Sequence, residues 1–199
     1  MLLAIDTASR ACSAALIDGE AIVAERHELV GRGHAERLLP MIEELLAGRR
    51  PDSLLVDCGP GSFTGVRVGL AAAHGLAIGW HVPIAGYSSL ALLAATVSAP
   101  EVAAALEGGH GELFVQSYGG DPLAATDALR SLPPDQAAAV ISASIVVGSG
   151  ADQLVAARGY GTPLDALPRA ADARLLPASL RSFSPRPIYG RAPDAKPMM

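Results

Sequence analysis

Two short stretches hold residues whose types and spacing could handle an anion or supply a nucleophile. Asp6 and Thr7 close the first apolar run of the chain, and Gly59-Pro60-Gly61-Ser62-Phe63-Thr64-Gly65 follows a second apolar run at 54–56. A glycine turn that leads from a strand into a helix presents free backbone N–H groups, and such groups cradle anions. Asp6, Thr7, Gly61, Ser62 and Thr64 are therefore the candidate nucleotide or anion contacts. The turn lacks the lysine and spacing of a P-loop, because Val66 follows Gly65. Three residues separate its G-x-G from the next glycine, where the dinucleotide fingerprint has two. A purely structural turn competes with a phosphate-binding one.

Ser62 is the obvious nucleophile to test. The G-x-S-x-G elbow needs glycines two residues before and after the serine, and those places hold Pro60 and Thr64. A metal centre finds little support. No His, Cys, Asp or Glu lies three or four residues from His34 or His74, and Glu107 precedes His110 within a glycine turn. No metal and no cofactor are expected of this chain by itself. Arg67, one turn into the helix, serves either as an anion ligand or as a surface or interface arginine. Tyr118, Tyr189 and Arg191 could stack on a base, against ordinary packing.

These residues need elements to position them. Residues 2–6, 12–17 and 21–29 read as three antiparallel strands, with Asp18-Gly19 as the hairpin turn. His34 to Ala47 reads as an amphipathic helix whose stripe is Leu38, Met41, Ile42 and Leu45. Pro40 means that this helix starts near Glu36 or kinks. A strand at 54–56, the glycine turn and a long Ala/Leu/Val helix capped by Thr64 follow. Gly65, Gly69, Gly75 and Gly79 on that helix imply close approach of another backbone, since each interior glycine otherwise costs about 1 kcal/mol. A strand at 82–85 and a helix at 90–97, capped by Ser88 or Ser89, complete a mixed α/β lobe over residues 1–99. A hairpin at 102–106 and 112–118 opens a smaller, less regular second lobe over 100–199. It continues through a strand at 145–147 and a helix at 152–157. The last part holds seven prolines from Gly161 on, and its end is expected to return to the first lobe.

The chain has 199 residues and a net charge of −5, unevenly spread. Residues 1–157 carry 8 basic and 17 acidic side chains, and residues 158–199 carry 7 and 3. The acidic bulk repels nucleic acid at long range, so the chain alone is expected to bind nucleic acid only weakly and without sequence preference. No apolar run is long enough to span a membrane, and no basic leader precedes the first strand. Cys12 and Cys58 form no disulfide framework and read as buried small hydrophobes in a reducing cytoplasm.

IDTAS at 5–9, GHAERLLPMI at 33–42 and GPGSFTGVRVG at 59–69 resemble the TsaB (YeaZ) family, with weaker matches in GSG at 148–150 and PIYGR at 187–191. The resemblance implies a two-lobed, actin-like, ribonuclease-H-type α/β fold with mixed sheets and flanking helices. It implies a cytoplasmic, non-catalytic partner of TsaD, with TsaE as third component, in forming N6-threonylcarbamoyladenosine beside the tRNA anticodon. ATP and metal then belong to the partner subunits, and tRNA is met only through the complex. Where active actin-like ATPases have D-x-G, this chain has Asp6-Thr7-Ala8, which adds a Cβ toward the phosphate. The second-lobe hairpin, D-A-R-x-G-E in the family, reads here Glu107-Gly108-Gly109-His110-Gly111-Glu112. The metal-binding histidine pair of TsaD, two His four apart, is absent, because Leu38 stands four residues after His34.

The family also implies that the two helices face the partner, or a second copy when the chain is alone. His34, Leu38, Leu39, Ile42, Arg67, Gly69 and Ala73 are the expected contacts, and Gly69→Arg is expected to spare the fold while weakening pairing. A nucleotide-binding ATPase and, less favoured, a peptidase are the competing readings.

Overall fold

The structure, a computed structural model, describes residues 1–190. Near-continuous runs of small and apolar residues, buried on both faces, form β1 (Leu2–Asp6) and β2 (Ala11–Asp18), which with the more exposed edge strand β3 (Ala21–Leu29) make an antiparallel meander. β4 (Ser53–Asp57) then joins β1 in parallel, and β5 (Ile84–Tyr87) joins β4. The five-stranded sheet has the order β3-β2-β1-β4-β5.

Helices α1 (His34–Leu46) and α2 (Phe63–Trp80) cover one face of this sheet. α1 begins at His34, with the Arg37 N–H bonded to the Gly33 carbonyl, so Pro40 lies inside the helix. The proline is on the solvent side, where water can satisfy the carbonyl it leaves unbonded. The cap of α2 is Ser62 rather than Thr64: the Ser62 hydroxyl accepts the Gly65 N–H at 3.2 Å, and Thr64 is already helical and exposed.

The other face of the sheet packs on α3 (Ser89–Ala95), a short helix buried along its whole length between the two lobes. Beyond it lies a second mixed sheet. β6 (Glu101–Glu107) and β7 (Leu113–Gly119) form its antiparallel centre. β8 (Ala124–Ala125) and β9 (Arg130–Leu132) pair with β7, while β10 (Ile145–Val147) and β11 (Thr162–Leu164) extend β6 in parallel. α4 (Pro134–Val140) and α5 (Ala151–Arg158) cover its outer face. Small residues on β6 (Ala103, Ala104, Ala105) let these layers approach closely.

The chain then returns. A 3-10 segment, Ala170–Leu175, lies against β1, β2, β3 and α3, tied by the Ala170 N–H to the Ser13 hydroxyl at 3.0 Å. Residues 183–190 run as a strap over the glycine turn. Phe183 exchanges two backbone hydrogen bonds with Gly86, and the Ile188 N–H donates to the Cys58 carbonyl at 2.7 Å. The Gly190 backbone ends the described chain against the Phe114 ring of the second lobe.

Candidate functional site

The phosphate-type turns and the helix pair are one assembly, because β1 and β4 deliver both turns to the N-terminal end of α2. Asp6 ends β1 and Asp57 ends β4, and both are buried with their carboxyls bonded to each other. The rest of each carboxyl is also satisfied. The Ala8 N–H donates to Asp6 Oδ1 and the Tyr87 hydroxyl to Asp6 Oδ2; the Gly59 N–H donates to Asp57 Oδ1 and the Ser89 hydroxyl to Asp57 Oδ2 at 2.6 Å. Burial pushes both carboxyls up, and the neighbouring Asp6 charge pushes Asp57 up further, well above its ordinary value. The protonated form is thereby favoured at both carboxyls, more strongly at Asp57 than at Asp6.

The glycine turn is closed onto the same region. The Ser62 N–H donates to the Ala8 carbonyl at 2.6 Å, and the Thr7 hydroxyl donates to the Gly65 carbonyl at 2.7 Å. A Cβ at Gly61 would overlap the Ala8 carbonyl; one at Gly65 would overlap the Thr7 carbonyl, and one at Gly69 the Thr7 hydroxyl oxygen. These glycines bring α2 onto the β1–β2 turn, which is the close approach their density implied. Gly75 and Gly79 meet nothing within 4 Å and face solvent, so the inference holds for only half of the four. Among the candidate anion contacts, Asp6 and Thr7 are buried and bonded within the chain, while Ser62 and Thr64 reach solvent. The N–H groups of Gly59, Ser62 and Gly65 are taken by the protein itself. Ser62 acts as a helix cap, and the His34 and His74 rings bond the Ala11 and Pro185 carbonyls. Among the described residues no group of three or more His, Cys, Asp or Glu is arranged to hold a metal ion.

The helix pair divides into an inner and an outer surface, and this corrects the expected contacts. His34, Leu38, Ile42, Gly69 and Ala73 are buried in the chain's own core, because the α1 and α2 stripes face the sheet. They cannot touch a partner directly. Leu39 and Arg67 do lie outside. The outer surface of α2 continues through Ala71, His74, Gly75, Ile78 and Gly79, and Ile78 is 75% exposed. At the N-terminal end of α2, the Arg67 guanidinium lies 3.5 Å over the Phe63 ring and donates to the Tyr189 hydroxyl at 3.1 Å. Of the stacking candidates, Tyr118 is buried, Tyr189 is exposed, and Arg191 lies outside the described residues.

Asp57, Tyr87, Ser89 and Phe63 escaped the sequence reading. Asp57 carried a signal, an acid at the end of an apolar strand just before a glycine turn. Tyr87 and Ser89 become neighbours of the Asp6–Asp57 pair only through the sheet order, whereas Phe63 meets Arg67 four residues along α2, a local spacing. Cys12 and Cys58 are both buried; burial raises their thiols to about 11 and about 12, so they stay protonated at neutral pH.

A family model described as TsaD, tRNA N6-adenosine threonylcarbamoyltransferase, matches residues 23–144. The chain is 39% identical over 126 residues to the tRNA threonylcarbamoyladenosine biosynthesis protein TsaB of Escherichia coli (strain K12). That match covers 59% of this chain and 54% of the relative, so the chain spans about half the length of this curated protein. Over most of its length it is similar to the solved structure of YeaZ from Pseudomonas aeruginosa, with 31% identity and a TM-score of 0.80. That likeness covers 94% of this chain and 98% of the other. The ethanolamine utilization protein EutJ from Carboxydothermus hydrogenoformans shares the fold alone, at 12% identity and a TM-score of 0.53, over 88% and 89% of the two chains.

Proposed function

The chain belongs to the TsaB (YeaZ) family, and on that footing we propose that it is a non-catalytic partner subunit in the biosynthesis of N6-threonylcarbamoyladenosine on tRNA. It pairs with TsaD through the outer surface of α1 and α2, with TsaE as third component, and meets tRNA, ATP and metal through those partners. One observation carries this reading: α2 presents Ile78, 75% exposed, between the open-sided Gly75 and Gly79. An apolar, small-residue helix face suits another helix at close range, and two such helices side by side suit a four-helix contact. The closed turns support the other half of the reading, since three donors of the would-be phosphate cradle, the N–H groups of Gly59, Ser62 and Gly65, are bonded within the chain.

The test is to mix the protein with TsaD and TsaE from the same genome, with and without ATP, and weigh the assembly. Ile78→Glu and Leu39→Glu should fold normally by circular dichroism and bind TsaD at least about 30-fold more weakly, roughly 2 kcal/mol. Wild-type affinity in both variants would place the interface elsewhere. The isolated chain should hydrolyse ATP no faster than background; turnover abolished by Asp6→Ala would overturn the non-catalytic reading.

A further inference from the structure

The Phe63–Arg67–Tyr189 cluster does nothing for the core. Phe63 and Tyr189 are 58% and 55% exposed, and their ring centroids lie 6.1 Å apart. Arg67 is exposed too, yet it is held on two sides, stacked on Phe63 and bonded to Tyr189. An unconstrained surface arginine samples many rotamers, and ordering it opposes binding. Here the strap residue Tyr189, 122 positions away in sequence, fixes the guanidinium before any partner arrives.

A guanidinium has five N–H donors, and Tyr189 accepts only one of them. Among the described residues no carboxylate pairs with Arg67. α2 itself contains no Asp or Glu, and the positions three and four away hold Phe63, Thr64, Leu70 and Ala71. The charge is thus oriented, flanked by apolar rings and, among the described residues, left without a counter-ion. It stands on the same outer surface as Ile78, at the other end of the helix.

Resting on the docking surface proposed above, we infer that Arg67 is a pre-set anchor that receives a carboxylate of the partner subunit. A carboxylate matches the planar fork of the guanidinium with two parallel hydrogen bonds. The rings of Phe63 and Tyr189 shield the pair from water, as the rim of an interface hot spot does. A nucleic-acid phosphate fits less well. Residues 1–157 carry an excess of nine acidic side chains over basic ones (17 against 8), and exposed Glu36 and Glu43 stand on the neighbouring α1.

The experiment measures the affinity of the whole chain for TsaD from the same genome, across a salt series, for Arg67→Gln, Arg67→Lys, Tyr189→Phe and Ile78→Glu. Arg67→Gln and Arg67→Lys should each weaken pairing by about tenfold or more. Lysine should fail because it lacks the fork, and the salt dependence of pairing should flatten in Arg67→Gln. Tyr189→Phe should cost less, with the salt dependence retained. Arg67→Glu should be rescued by one Asp→Arg or Glu→Arg change on TsaD, which identifies the acceptor. Wild-type pairing by Arg67→Gln beside a pairing-defective Ile78→Glu would sink the anchor and leave the docking surface standing. Wild-type pairing by both would sink the docking surface as well. If Arg67→Gln instead leaves TsaD affinity intact and lowers tRNA retention by the assembled complex, the anchor assignment is also overturned, and the group read is a phosphate.

Discussion

Two carboxyls buried side by side cannot both ionise cheaply, and in Asp6 and Asp57 this favours the protonated form, more strongly at Asp57. The consequence for stability has a definite sign. Above about pH 4 the unfolded chain releases the Asp57 proton while the folded chain holds it, because burial and the Asp6 charge raise Asp57 well above its ordinary 3.8. The contribution of this group therefore falls as pH rises, by up to about 1.4 kcal/mol per pH unit, until the folded carboxyl itself ionises. Asp57→Asn can still donate to Asp6 and no longer titrates. Its stability in urea should change less between pH 5 and pH 8 than that of the wild type, and it should be at least as stable at pH 8. An unchanged slope would mean that the proton resides elsewhere.

At the scale of the element, α2 carries four glycines with two different roles. Gly69→Ala should destabilise the protein by about 1–3 kcal/mol, because its Cβ would meet the Thr7 hydroxyl oxygen in a packed core. The Gly69→Arg variant expected from the sequence to spare the fold should therefore unfold it. Gly75→Ala should stabilise the isolated chain by about 0.5–1 kcal/mol, since its Cβ enters open space and the helix loses a glycine. Chemical denaturation of the two alanine variants, with opposite signs expected, checks both at once.

The same helix shows what a sequence can disclose. Its span and its glycine turn were legible, because glycine, proline and apolar spacing act locally. Which glycines face inward was not, because that depends on where Thr7 arrives from another strand. Leu38 and Ile42 were misjudged as contacts for the related reason that a stripe announces burial without naming its neighbour. On α1, the outer surface is the residue set beside the stripe, Leu39 among them.

At the scale of the whole molecule, the first sheet was readable almost strand by strand, and the second lobe was readable at its hairpin and at β10. β8, β9 and β11 are two or three residues long and lack the apolar β-branched run that marks the equally short β10, Ile145-Val146-Val147. The return of residues 170–190 buries Ala170, Ala171, Ala173, Leu176 and Leu180 in the core and adds scattered bonds, such as that from the Ala170 N–H to the Ser13 hydroxyl, and no period in the sequence marks where this segment lands. Cutting the chain after Ser182 tests what the strap holds. That truncation should open the Cys58 thiol, 0% exposed beneath residues 184–188, to a thiol reagent that leaves the intact protein unlabelled. Continued protection would show that the first lobe closes without the strap.

The strap also imposes an order of events during synthesis. The first sheet has all its strands by Tyr87, yet the edge at Gly86 and the carbonyl of Cys58 receive their hydrogen bonds from Phe183 and Ile188. A nascent chain can hold both helices outside the ribosome and still lack Tyr189, which orients Arg67. The surface is completed only by a residue translated 122 positions after Arg67, so a polypeptide abandoned before that point displays the helices without their finished anchor. On the docking proposed above, recognition of the chain is thereby tied to the progress of its own translation.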